Sequence, residues 1–513
     1  LVVAVLLLML GVWLVYPYCR CYIDPDATAC LTIAQRYAHA DWHRAINAYW
    51  SPWACWLSAA LISALQLNAF LAALLVNAFA ALGFLFVSYR LFLFFSLRNI
   101  WLWAMLLSLA VFLVYAVYWQ LFNDLYCAFF LLLVLYLQLQ INYLQSKGLQ
   151  TITALLAALA YLAKPSALPF FFLSTLLLLF INTPLSTPYR TKKIFGSTAY
   201  VMLLMLLFIS PWLYVVHAKY GIWSGSTAVL LNSSWSLMGH PIWKAGIHQL
   251  LPPVYPNSPS YWEDPFWVNG PAPHFYNSLS LFFTQLIRSA YYSIFLIGAM
   301  NQLSAFMLPA YVFSLLLLLS PQLHVRFMPQ VRLLAALFIL FPIPFLLLRA
   351  EARYLWYMLP LGMILLAMAF QHFHKQLKGF WPNAALLFLV SFSFLAFPLY
   401  NMSTIINAGK QEEQLAATLI QRGIKGSFTS NASLGTETQS MQRLAYFSGN
   451  SYYNMPDINC STQELLSEMQ RYGIHYYFYY AHGADTKAVF TDANGKPYPE
   501  LGCVGNLHIF RVY

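Results

Sequence analysis

Charge is scarce in this chain, and acid scarcer than base: 16 Asp and Glu stand against 27 Lys and Arg in 513 residues. Charged residues make up 8% of the sequence, whereas an ordinary soluble domain carries roughly 25%. So little polarity cannot clothe a soluble fold of this length. Fixed-period repeats and low-complexity tracts are also missing, which argues against solenoid architectures and long disordered linkers. His240, His248 and His274 lack metal-ligand spacing and read as ordinary loop residues. What abounds is apolar: 61% of the residues are hydrophobic and 18% aromatic. Apolar runs of about 20 residues recur, the length that crosses a bilayer as a helix, and backbone in lipid must satisfy its own hydrogen bonds.

The runs predict an α-helical polytopic membrane protein with about eleven transmembrane helices. They lie near 1–18, 68–89, 100–119, 122–143, 149–163, 166–182, 195–216, 302–320, 331–349, 353–371 and 381–400. The stretch Pro52 to Leu67 is apolar but short and reads as a helix lying on or dipping into the membrane. The segment 281–298 is ambiguous between the two.

Sidedness follows from the loops. With residues 19–52 outside, the inner loops carry Arg90, Arg98, Lys147, Arg190, Lys192, Lys193, Arg326, Arg332, Lys375 and Lys378, and no acid. The acids before residue 400 are Asp24, Asp26, Asp41, Asp124, Glu263, Asp264 and Glu351, and all fall outside. The positive-inside rule accounts for the basic bias, but not for acids gathered on one face, which points to a site there. The net charge of +11 is spread over short loops, so it does not indicate a nucleic-acid partner.

Two domains are expected: a transmembrane part, 1–402, with outer loops about 19–67 and 217–280, and a small α/β domain, 403–513, outside the membrane. In the tail, Glu412–Arg422 and Thr462–Tyr472 have helical spacing, and 426–430, 474–480 and 507–513 read as strands. Cys460 and Cys503 suit a disulfide outside the cytosol.

Several outer residues carry chemistry. Asp24 and Asp26 flank Pro25 just after the first span, where two charges beside an apolar slab need a cation, a hydrogen-bond donor or a metal. They read either as a general base with its helper or as a helix N-cap and a solvated acid. Asp41 reads as a turn residue or a partner of Arg36 or Arg44. Asp124 opens a span and reads as its N-cap, worth about 1 kcal/mol. Lys164, in an Ala-Lys-Pro turn, can snorkel or hold a phosphate. Arg349, Glu351, Arg353 and Tyr354 crowd one span end. Trp262, Glu263 and Asp264 sit in the aromatic middle loop, where the rings stack on sugar or, the favoured alternative, anchor the loop at headgroup level.

These features resemble the C-type superfamily of polytopic glycosyltransferases that use lipid-linked sugars, closest to the protein O-mannosyltransferase and aminoarabinose transferase branch. The likeness rests on Asp24-Pro25-Asp26 after the first span, Ala40-Asp41-Trp42, the Asn47-Ala48-Tyr49-Trp50-Ser51-Pro52 exit, Asp124 opening a span, Lys164 before Pro165, and Arg353-Tyr354. It covers about residues 1–400. The resemblance implies an inverting transfer of a hexose or pentose from a polyprenyl-phosphate donor to a hydroxyl of a protein, lipid or glycan, on the outer side of a bacterial inner membrane. It makes Asp26, or Asp24, the base, because Pro25 separates carboxylates that some relatives hold adjacent. It gives the donor phosphate to Lys164 and Arg353 and orientation of the site to Asp124. Tyr354, next to Arg353, is a further candidate for orienting the site, and Trp262, Glu263 and Asp264 of the middle loop are the candidate acceptor or sugar contacts. No cofactor is required on this reading, although some distant relatives bind a divalent metal, for which the Asp pair with Glu263 or Asp264 offers hard oxygen ligands. The competing classes are a transporter or flippase, which places its ionisable groups near the bilayer midplane, and a non-catalytic scaffold binding lipid-linked sugar.

Overall fold

The computed structural model describes residues 1–184, 186–238, 249–265, 274–348, 351–373, 380–432, 435–455, 460–481, 490–492, 495–504 and 506–513. His240, His248, Arg349, Lys375 and Lys378 lie outside the described residues.

Helices α1 to α10 run Val2–Cys19, Pro25–Ala38, Trp42–Ala45, Pro52–Leu65, Ala69–Phe94, Asn99–Trp119, Asp124–Gln138, Lys147–Ala163, Ala167–Asn182 and Arg190–Tyr220. Later apolar helices are Leu279–Leu303, Met307–Leu319, Pro329–Leu340, Met358–Phe373 and Phe380–Ile405. Among the described residues, seven helices are long and apolar enough to cross a membrane, and six further apolar helices are shorter. Each of the eleven expected spans coincides with one of these helices, and the ambiguous 281–298 segment lies within a 25-residue helix. The fourth expected span, 122–143, is trimmed to 15 residues, about 22 Å of helix. At its start Asn123 is the cap residue and its side chain reaches across the bundle: Oδ1 accepts from Ala54 N at 2.8 Å and Nδ2 donates to Ser51 O at 2.8 Å. Most of the loss is at the other end, where residues 139–145 turn and Gln150 Nε2 donates to Tyr143 O and Leu144 O, each at 3.1 Å.

Helix starts follow local chemistry. Asn68 caps α5 by accepting from Leu71 N, and Ser146 caps α8 by accepting from Leu149 N. The apolar surface is divided between protein and periphery. Helices α5 and α6 supply fully buried residues such as Phe84, Leu85, Met105 and Leu113, while α1 exposes Val2, Leu10, Trp13 and Leu14. An all-round apolar helix with so open a face suits a lipid boundary. Some polar residues inside the bundle find partners there: Asn77 Nδ2 donates to Gln120 O, and Gln138 Nε2 to Thr175 Oγ1. Helix α4 packs against α2 and α5.

The C-terminal part forms a five-stranded sheet in the order β2-β1-β3-β5-β4, with β1 Ser427–Ser430, β2 Ser451–Tyr453, β3 Tyr476–Tyr480, β4 Glu500–Val504 and β5 Leu507–Arg511. Strands β2, β1 and β3 run parallel, whereas β5 is antiparallel to β3 and β4 to β5. Phe428, Leu444, Tyr452, Phe478 and Ile509 fill the core between the sheet and its helices. The three expected strands and both expected helices are present. Strand β2 was not legible because three residues carry no period, and β4 because a bulge interrupts its alternation. The expected Cys460–Cys503 disulfide is not formed: Cys503 Sγ lies 3.8 Å from His508 Nε2, its cross-strand partner, and Cys460 Sγ lies 3.5 Å from Met455 Sδ.

One edge of the sheet holds the middle loop. Tyr452 N donates to Pro259 O at 2.9 Å, Ser451 Oγ donates to Pro256 O at 3.0 Å, and Leu251 and Asn454 exchange two backbone bonds. This contact delivers Trp262 to the mouth of the helical bundle.

Candidate functional site

Helices α7 and α8 form an antiparallel pair, so the first residue of one meets the residue after the end of the other. That geometry joins Asp124 at the start of α7 to Lys164, the C-cap of α8, in an ion pair between Nζ and Oδ1. The placement suits both helix dipoles, an anion at an N-terminus and a cation at a C-terminus, worth typically ~0.3–1 kcal/mol each. The expected N-cap role for Asp124 is corrected here: Asn123 occupies the cap position, and the Asp124 carboxylate faces cations instead. Lys164 Nζ also stands 3.4 Å from the centroid of the Tyr354 ring, a cation–π contact.

Arg353 comes from a short 3₁₀ turn, Ala352–Leu355, which precedes the helix Met358–Phe373. Its Nη2 donates to Asp26 Oδ2 at 2.8 Å, and its Nε lies 2.7 Å from Glu351 Oε2 and 3.9 Å from Asp124 Oδ2. Arg353 Nε and Asp124 Oδ2 are both buried without a hydrogen bond. Arg353 Nε is still ion-paired with Glu351, so Asp124 Oδ2 is the acceptor left over, and a buried acceptor without a donor costs about 1–3 kcal/mol, more when charged. Such atoms are expected where a polar ligand is received.

The aspartate pair divides by role. Pro25 at N1 fixes the start of α2, and this makes Asp24 the N-cap: its Oδ1 accepts from Ala27 N at 2.6 Å. Its Oδ2 accepts from Gln120 Nε2 at 2.6 Å. Asp26, two residues on, turns toward the cations. Its Oδ2 is held by Arg353, and its Oδ1 accepts from Trp262 Nε1 at 3.0 Å. Tyr49, Trp50 and Trp262 contact one another edge-on next to this pair.

The remaining loop acids brace the loop. Glu263 is buried and held by Arg36, Nε to Oε1 at 2.5 Å and Nη2 to Oε2 at 3.1 Å, while Arg36 also reaches Asp41 and Ser258. Asp264 accepts from Tyr220 OH at 2.5 Å. Asp41 pairs with Arg44 as well, at 3.6 Å. The 3₁₀ turn Tyr261–Glu263 thus sends Trp262 to Asp26 and Glu263 to Arg36. Gln120 carried no motif in the sequence, and Arg36, expected beside Asp41 and found there at 3.3 Å, gave no sign of its hold on Glu263. Among the described residues, Asp24 and Asp26 do not gather their ligand atoms with Glu263 or Asp264: each of the four carboxylates accepts from its own donors.

Below the charged groups lies a narrow crevice of about 30 Å³. Asp124, Lys164 and Arg353 line its charged part, and Leu131, Phe170 and Phe341 are among its apolar walls. Cations beside apolar walls suit the junction between an anionic head and an apolar tail.

Asp24 titrates unusually. Removal from water, followed by the negative charge of Asp26, pushes its carboxyl up to about 7, against the pull of Arg353. A native pKa raised above the unfolded value of about 3.9 stabilises the fold fully below about pH 4, and that contribution is lost as pH rises through about 7. The thermal-unfolding midpoint of wild type is therefore expected to fall between about pH 4 and 7 more steeply than that of Asp24→Asn. Superimposable pH profiles for the two proteins would refute the shift.

No family model matches the chain, and no curated protein matches it. Solved structures do. ArnT from Cupriavidus metallidurans in the apo state aligns with a TM-score of 0.56 at 14% identity, covering 99% of this chain and 97% of that one. The same protein bound to undecaprenyl phosphate aligns with a TM-score of 0.52 at 13% identity over the same shares. The chain therefore has the polytopic membrane fold of ArnT from end to end, tail included.

Proposed function

We propose that this chain is a membrane glycosyltransferase that moves a sugar from a polyprenyl-phosphate donor to an acceptor hydroxyl, with inversion. The observation that carries this reading is the crevice lined by apolar residues together with Lys164, Arg353 and Asp124, in which Arg353 also holds Asp26 at 2.8 Å. A like-folded protein binds undecaprenyl phosphate, which supports the same class of lipid here. The segregation of acids from the basic loops supports a site and a tail on the outer side of a bacterial inner membrane.

Asp26 takes the proton of the acceptor hydroxyl, whose oxygen bonds to the anomeric carbon from the face opposite the phosphate. The bond from that carbon to the phosphate oxygen breaks, and its electron pair leaves with the lipid phosphate. Lys164 and Arg353 are placed before the reaction to receive this charge, and such fixed donors act most strongly where water is thin. A phosphate leaving group needs no second carboxylic acid to protonate it, unlike the sugar oxygen in glycosidases. Trp262 and Arg353 orient Asp26, and Asp24 fixes the start of its helix.

The test is release of labelled sugar from a pool of polyprenyl-phosphate sugars by purified protein in lipid. Wild type is expected to consume a donor, and Lys164→Ala to fall by about 10²–10³-fold, the usual effect of losing one charge-stabilising donor. Saturable donor binding without turnover, or labelled lipid crossing the bilayer intact, would replace this reading with a scaffold or a flippase.

A further inference from the structure

The hairpin that closes the tail sheet carries side chains that sugar transfer does not use. Strands β4 and β5 set Cys503 opposite His508 and Glu500 opposite Phe510. Residues three apart on a regular strand face opposite sides, so Glu500 and Cys503 would normally diverge. A bulge between Glu500 and Gly502 absorbs the odd residue and returns both to one face. Gly502 adopts a φ of +149°, a backbone conformation that residues with a side chain rarely take.

The bulge assembles an ordered trio. Glu500 Oε1 lies 2.9 Å from His508 Nδ1, and Cys503 Sγ lies 3.8 Å from His508 Nε2. One ligand atom from each residue lies within 4.8 Å of the others. His508 is buried, whereas Cys503 and Glu500 are exposed, so the trio opens to solvent on one side. In a tetrahedral zinc site, bond lengths of about 2.3 Å to sulfur and 2.05 Å to nitrogen put those two atoms roughly 3.6 Å apart. The sulfur–nitrogen distance here is close to that edge. With Nε2 on a metal, Nδ1–H donates to Glu500, the arrangement by which a carboxylate fixes the tautomer and ring orientation of a ligating histidine. Thiolate with imidazole selects ions of the zinc class over magnesium or calcium, which take oxygen.

We propose that Cys503 and His508 bind a divalent ion of the zinc class at the edge of the tail sheet, with Glu500 orienting His508. The Cys503 thiol gives up its proton to solvent as the sulfur–metal bond forms, and His508 Nε2 contributes its lone pair. Affinity therefore weakens as pH falls. Among the described residues these two supply the first ligands, and water or a donor from another molecule completes the tetrahedron.

The test is titration of full-length protein in detergent with Co²⁺ alone, reading the thiolate-to-cobalt absorption band, and then with Zn²⁺ to displace it. One equivalent should give the band in wild type, with its loss in Cys503→Ser and in His508→Ala. Glu500→Gln should weaken binding by about 10–100-fold, and Lys164→Ala should leave it unchanged. A second readout is mass-spectrometric alkylation of Cys503, which saturating Zn²⁺ should slow. A band that survives Cys503→Ser overturns the proposal, as does alkylation that zinc leaves unaltered.

Discussion

Asp26→Asn is expected to lower sugar transfer by about 10²–10⁴-fold, the range that general-base catalysis spans, while leaving donor affinity and fold in place. Asparagine keeps the shape, and its side-chain oxygen can still accept from Trp262 Nε1, which now stands 3.0 Å from Asp26 Oδ1. It loses the charge toward Arg353 and cannot take a proton. The informative comparison is with Asp24→Asn, because asparagine is an equally good N-cap and the capping bond to Ala27 N persists. Steady-state transfer with saturating donor, measured for both variants, separates the two carboxylates. Were Asp24→Asn the deeper loss, with Asp26→Asn near wild type, the assignment of the base would reverse.

The second large effect belongs to Arg353. Its side chain is 12% exposed and faces Asp26, Asp124 and Glu351. Arg353→Met removes the charge shared by three carboxylates and leaves Lys164 alone to balance the site. Breaking a buried pair by deleting one partner costs about 3–5 kcal/mol, so the variant should unfold at markedly lower temperature and also lose transfer. Adding Asp124→Asn should return part of the stability by removing one stranded charge, yet none of the activity. Thermal unfolding of wild type, both single variants and the double variant gives the coupling energy directly. Strict additivity of the two changes would show that Arg353 and Asp124 do not share one charge network.

The membrane architecture was legible because span length is a strong signal: lipid thickness demands a long apolar run, and the chain offers them repeatedly. Ends were less so. Residues 122–143 read as one span, but Asn123 turns to Ser51 and Ala54 at its start and Gln150 holds the turn carbonyls of Tyr143 and Leu144 past its end, contacts that no apolar run records. The same holds for the acids. Spacing marks Asp24 and Asp26 alike, and only the helix start at Pro25 makes one a cap and turns the other to Arg353. Trp262, Glu263 and Asp264 are neighbours in sequence with three destinations in space, because a short 3₁₀ turn points successive side chains apart. The favoured anchoring role for Trp262 gave no hint of its bond to Asp26. In the tail, the glycine-bearing bulge that aligns Glu500 with Cys503 broke the very alternation by which a strand is recognised.

The hold of strand β2 on the middle loop also sets a clock. Ser451 and Pro256, which it ties together, are 195 positions apart, and Trp262 reaches back 236 positions to Asp26. At about 5–20 residues per second, translation takes on the order of 10–40 s to travel from the loop to the strand that secures it. For that interval the nascent bundle carries its aspartate without the indole that aims it. Competence thus waits on a segment made well after the aspartate and the loop it must bring together.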